Sequence, residues 1–393
     1  MENRNWREVK LGDIIDIISK KTPIENATLE NYISTENMIN DFGGVQNAEK
    51  LPTTNTVNAF VENDILFSNI RTYFKKVWHA KFDGTVSQDV LTFRAKENII
   101  SKFLYYILCN PEFTEYTVLT SKGAKMPRGD KDAIRNFEIQ LPQLPEQKAI
   151  ASVLSSLDDK IDLLHQQNQT LEALAETLFR QWFIERCPEP VEGEAKEDWE
   201  DCTIEDLCIK INSGGTPSTK IDSYYNGNIN WYSTKELNDN YLFSSNSKIT
   251  QEGLDNSSAK IFPAGTVVIA IYAAPTVGRL GILTEDSAFN QAACGLVAND
   301  KICSKEFLYL YLKNQRVELN LMASGSAQQN LNVGKIKSYP CFIPDSIIME
   351  KFKFQVEPLF SKILDNSKQI QTLTKLRDTL LPKLMSGEVR VKV

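Results

Sequence analysis

The sequence predicts an α+β protein: two globular mixed α/β domains related by a pseudo-two-fold and joined by two long antiparallel coiled-coil helices. Three observations carry this expectation. The 393-residue chain repeats itself at an offset close to 202 residues. Each repeat opens with short β-rich runs separated by Gly, Asn and Ser turns. Each repeat then closes on a long apolar stripe of heptad period.

Taken in order, residues 1–141 form the first mixed domain and 142–186 the first long helix. Residues 187–198 form an acidic, proline-containing linker. Residues 199–343 form the second mixed domain, 344–385 the second long helix and 386–393 a terminal segment. Asp64-Ile65-Leu66-Phe67 and Thr266-Val267-Val268-Ile269 read as corresponding strands. Phe103-Leu104-Tyr105-Tyr106-Ile107-Leu108 is echoed by Phe307-Leu308-Tyr309-Leu310-Tyr311-Leu312, Gly123 by Gly325, and Ile134 by Ile336.

The first stripe places Ile150, Leu154, Leu157, Ile161, Leu164, Leu171, Ala175, Leu178 and Trp182 at alternating spacings of four and three, interrupted only by Asn168. The second carries Phe352, Val356, Leu359, Ile363, Ile370, Leu373, Leu380 and Leu384, with Asn366 and Arg377 as its polar members. An antiparallel register that sets Asn168 opposite Asn366 also pairs Ile161 with Leu373, Leu164 with Ile370, Leu171 with Ile363, and Ala175 with Leu359. A facing pair of amides satisfies itself and fixes register, whereas either amide alone is a buried unsatisfied group. Pro358 is expected to kink the second helix or start it, and Pro382 to limit its last turn.

Composition is that of an ordinary soluble protein, 42% hydrophobic and 24% charged. The beginning lacks a signal-peptide core, and no apolar run reaches the length of a membrane span. Seven scattered cysteines without a CxxC pair point to reduced thiols and a cytoplasmic location. Two histidines and no HExxH argue against a metal site. The net charge of −7 is concentrated in residues 142–198, which hold 5 basic and 12 acidic side chains. The larger segments are close to neutral and leave room for local basic surfaces.

Three stretches, LPQLPEQKAIASVLSSLDDKID, SGGTPSTKIDSYYNGNINWYSTKEL and LRDTLLPKLMSGEVRV, resemble the specificity subunits of type I restriction–modification systems. The resemblance implies two target-recognition domains, each reading one half of a split, asymmetric site on double-stranded DNA. The helices would set the gap and dock two methyltransferase subunits, with two motor-nuclease subunits joining the complex. The chain itself would be non-catalytic. S-adenosylmethionine, ATP and Mg would belong to the partners, and no membrane would be involved. The resemblance also implies a C-terminal strand, Glu388 to Val393, lying against the first domain. The Pro145-Glu146-Gln147 start of the first helix has no counterpart at Ile347-Ile348-Met349.

Cations suit phosphates, and planar amides or guanidinium suit base edges. In the first domain Arg71, Lys75, Lys76 and Lys81 alternate with Tyr73, Phe74 and Trp78, either as a DNA-facing loop or as a strand with a buried aromatic face. Lys122, Lys125, Arg128 and Lys131 surround two glycines, either as a phosphate-binding loop or as a solvated one. Gln88 sits on a turn and suits an adenine. In the second domain the backbone amides of SGGTPSTK, with Ser213, Thr216 and Lys220, suit phosphate, although plain turn chemistry explains them equally well. Lys235, Tyr272 and Arg279 follow. Gln291 aligns with Gln88, and Gln328-Gln329-Asn330 aligns with Met126-Pro127-Arg128. The two halves thus share a loop position and fill it differently.

Asn110-Pro111-Glu112-Phe113 is the nearest approach to a base-holding methyltransferase loop and reads instead as a turn ending a helix. GxxxxGK[ST] and GxSxG are absent, and Asp158-Asp159-Lys160 reads as a solvated helix face. Two alternatives remain: the recognition part of a fused methyltransferase/nuclease, and a protein-binding scaffold without DNA readout.

Overall fold

The computed structural model describes residues 6–185, 199–272, 276–323 and 331–392. The linker reading at 187–198 and the amide run Gln328-Gln329-Asn330 lie outside them. The chain divides into two compact units, residues 1–162 with 371–393, and residues 163–370.

In the first unit, Ile65–Ser68 is buried along its whole length and lies inside a four-stranded antiparallel sheet, between Val90–Ala95 and Val77–His79, with Ile15–Ile18 at the edge. Alternation divides its side chains between two cores. Ile65 and Phe67 join Phe93, Phe103 and Leu104, the last two on helix Ser101–Cys109. Leu66 joins Phe60, Trp78 and Val86 toward a second four-stranded sheet. Arg7–Lys10 and Glu138–Leu141 close the domain as an antiparallel ribbon.

The second unit repeats this plan. Val267–Ala270 is likewise buried throughout and lies between Ala293–Ala298 and Leu280–Leu283 in a five-stranded sheet. Val267 and Ile269 face the core that contains Phe307 and Leu308, whereas Val268 and Ala270 face Phe262 and Phe289. The closing ribbon is Glu200–Thr203 with Pro340–Ile343.

The first long helix is Leu144–Arg180 and the second is Ser346–Met385. Pro358 neither starts nor ends the second helix, which begins twelve residues earlier; its ring is exposed, where the one lost hydrogen bond is least costly. The terminal segment is not a strand within its described part: residues 386–389 form turns and bends, and 390–392 have no regular structure. It nevertheless lies on the first unit, where Arg390 forms a bidentate pair with Glu146 at 2.9 and 3.0 Å, and the Trp6 indole N–H donates to the same carboxylate at 2.9 Å. No helix among the described residues is long and apolar enough to cross a membrane.

Candidate nucleic-acid interface

Three loops of the first unit are tied together at Asn69. Its N–H donates to the Asp89 carbonyl at 2.9 Å, and its carbonyl accepts from Gly129 N–H at 3.1 Å. Lys122 and Arg128 exchange two backbone hydrogen bonds, 2.8 and 2.9 Å, around a hairpin whose tip includes Gly123 at φ +100°. Arg71 N–H donates to the Pro127 carbonyl at 2.9 Å. This knot gathers Arg71, Gln88 and the hairpin bearing Lys122, Lys125 and Arg128, three segments far apart in sequence. Arg71 and Lys75 both adopt left-handed backbone, at φ 51° and 52°, on either side of the short 3-10 turn Thr72–Phe74. Such conformations cost free energy in residues with a Cβ and concentrate where a loop is shaped for function. Tyr73 projects from this turn, 47% exposed.

The cations differ in how they are engaged. Arg128 pairs with Asp89 at 2.9 Å. Lys122 pairs with Asp130, which also caps helix Lys131–Asn136; each holds the other in its charged form, so the lysine pKa rises and the carboxyl pKa falls. Lys125 and Lys131 are exposed. Lys76 turns inward instead: its ammonium donates to the Thr35 carbonyl at 2.6 Å, and burial lowers its pKa. Lys75 lies 3.7 Å from Asp41, and Lys81 lies 3.4 Å from Asp162 on the first long helix. Trp78 is buried against Phe60 and Phe82, so the basic–aromatic alternation is partly a core strand.

In the second unit, strand Cys208–Ser213 runs into two glycines. Gly214 N–H donates to the Ala293 carbonyl at 3.1 Å and Gly215 N–H to the Phe289 carbonyl at 3.0 Å. A Cβ at either glycine would fall 2.0 to 2.2 Å from a backbone oxygen, which is why glycine stands at both. These amides are therefore engaged inside the protein, contrary to the expectation that they face phosphate. The Thr216 hydroxyl donates to Gln291 Oε1, and the Trp231 indole donates to the Gly215 carbonyl at 2.9 Å. Lys220 and Lys235 are exposed, Ser213 is half-buried, and Arg279 donates to Asn238 at 3.1 Å. Tyr272 packs against the core.

The long helices meet within each unit. In the second unit, Asn366 is fully buried and donates to Asn168 Oδ1 at 2.9 Å, while Asn168 donates to Ser367 at 3.3 Å. Leu164 and Ile363 are buried, whereas Leu171 and Ile370 are half-buried. Phe360 takes a deeper position than Leu359. In the first unit Ile161 is buried and Leu373 half-buried. Asp158 is not on a solvated face: it accepts from the Tyr106 hydroxyl at 2.7 Å and pairs with Arg377 at 3.1 Å. Burial pulls the Arg377 pKa down, but Asp158 and Asp378 more than offset this and leave it raised. Asn110-Pro111 is a junction, capping helix Pro111–Leu119 immediately after Ser101–Cys109.

Sequence reasoning missed Asp89 and Asn69. Both are short polar residues beside candidate contacts, and their linear context offers no sign of what they bind.

A family model described as "Type I restriction modification DNA specificity domain" matches residues 3–173 and 196–371. The MjaIX specificity subunit of Methanocaldococcus jannaschii is 27% identical, over 99% of this chain and 94% of that protein. The HindI specificity subunit of Haemophilus influenzae is 25% identical, over 98% of this chain and all of that protein (100%). The crystal structure of a type I restriction-modification S subunit from M. genitalium superposes with a TM-score of 0.63 at 18% identity, covering 98% of this chain and 97% of that one. At that identity the likeness bears on the fold.

Proposed function

The chain belongs to the type I restriction modification DNA specificity family, and from this we propose that each mixed domain reads one half of an asymmetric, bipartite duplex site. The chain is the DNA sequence-recognition subunit of a type I restriction–modification complex. The helices act as the ruler between the half-sites and dock two methyltransferase subunits; two motor-nuclease subunits complete the assembly. The chemistry, an adenine-N6 methyl transfer and an ATP-dependent cleavage, resides in those partners, which bind S-adenosylmethionine, ATP and Mg. Such a subunit works in the cytoplasm, where its DNA is.

One observation supports this reading above the others. Two domains of one plan carry different sets of polar side chains on their loops. Around Asn69 the loops bear arginine and lysine; around Gly214 they bear Thr216 and Gln291. A shared scaffold with divergent contacts is what reading two unlike half-sites requires. The test is to co-express the chain with its cognate methyltransferase subunits and map N6-methyladenine across the host genome. Two short unlike motifs around a fixed gap are expected. No methylation, or one continuous motif, would overturn the reading.

A further inference from the structure

We propose that Arg128 reads a guanine through its guanidinium and that Asp89 is the positioning residue that aims it. This inference rests on the DNA-reading role above and assigns a base to it.

The geometry separates Arg128 from the other cations of the first unit. Its backbone is held on both sides, by the paired hydrogen bonds to Lys122 and by Gly129 N–H on Asn69. Asp89 is held by the same residue, because Asn69 N–H donates to its carbonyl. One intervening residue therefore fixes the distance between the two backbones, and Arg128 Nη2 lies 2.9 Å from Asp89 Oδ1. A Cβ at Gly129 would fall 2.7 Å from Asn69 Oδ1, so a larger residue there would have to move the Asn69 side chain.

The ion pair is 58% and 40% exposed on its two sides, so it adds little to folding. Its consequence is orientation. A guanidinium has five N–H donors, and one contact to Asp89 leaves enough for a bidentate grip. Arginine matches guanine O6 and N7 in the major groove in this way. A carboxylate beside the arginine argues against a phosphate target. Asp89 would repel a phosphate at that distance, whereas a guanine edge carries no net charge. Lys125, exposed on the hairpin, is a point charge on a flexible stem and suits phosphate without such bracing.

The experiment uses the chain reconstituted with its methyltransferase subunits. Binding is measured to duplexes in which each base pair of both half-sites is changed in turn, for the native chain and for Arg128→Lys, Arg128→Gln and Asp89→Asn. The native complex is expected to prefer G·C at one position of one half-site by roughly 10- to 100-fold. Arg128→Lys keeps the charge and should erase that preference alone, leaving other positions and the second half-site unchanged. Asp89→Asn should reduce the same preference without moving any other.

Unchanged selectivity in Arg128→Lys overturns the assignment. So does a uniform loss across all sequences with a shallower salt dependence in Arg128→Gln, which would place Arg128 on a phosphate. If Arg128→Gln fails to fold, the lysine variant and Asp89→Asn still decide. A native complex with no sequence preference would instead overturn the DNA-reading role itself.

Discussion

Glu146 is a nearly buried carboxylate with three hydrogen bonds, one from Trp6 and two from Arg390. Burial alone would raise its pKa; the bonds from Arg390 and Trp6 outweigh burial and lower it. A carboxylate depressed in the folded state contributes stability above its unfolded pKa of about 4.3 and loses it as pH falls through the folded value. Glu146→Gln should therefore destabilise the first unit by about 1–3 kcal/mol at neutral pH, and the gap in thermal midpoint should close below about pH 4. His79 is lowered as well, here because burial disfavours the charged form of a base: burial, with Lys102 and Lys81 nearby, pushes it down to about 4. It folds neutral, so the unfolded state takes up its proton first. Stability should fall as pH drops from about 6.5 toward 4, and His79→Gln should flatten that part of the melting-temperature profile.

The paired amides are a property of two helices rather than of one residue. Asn366→Leu removes the donor to Asn168 and places a larger apolar side chain beside a polar one. A loss of about 1–2 kcal/mol is expected in thermal unfolding. Replacing Asn168 by Leu as well removes both polar groups, and the double variant should recover most of that loss while losing the constraint on register. Failure of the double variant to recover would mean that the amides contribute more than their one mutual bond, which leaves Asn366 Oδ1 buried and unpaired. Loop contacts belong to their own domain in the same way. Thr216→Val breaks the bond to Gln291 and should alter base preference in one half-site of the methylation motif, leaving the other half-site and the gap intact.

The whole chain carries a net charge of −7, so its binding to a polyanion must come from local basic loops rather than overall attraction. If Arg71, Lys125, Lys131, Lys220 and Lys235 each meet a phosphate, log K should fall with log salt with a slope of about −4.5. Arg71→Ala should weaken all sequences alike and make that slope shallower by about one. A binding constant independent of salt would rule out phosphate contact.

The repeat, the heptad stripes and the facing asparagines were legible in the sequence. Each is written as a spacing along the chain, and hydrophobic burial makes such spacings dictate helices, strands and their pairing. The engagement of individual polar groups was not legible. Lys76 looked like a phosphate ligand until Thr35 was found beside it. The Gly214 and Gly215 amides looked available until the carbonyls of Ala293 and Phe289 were found to take them. Asp158 looked solvated until Tyr106 and Arg377 were found on it. Whether a cation, an amide or a carboxylate faces outward depends on partners brought near by folding of distant segments, and no local pattern encodes that. Composition and periodicity thus decided the architecture, and the tertiary structure decided which polar groups are left for DNA.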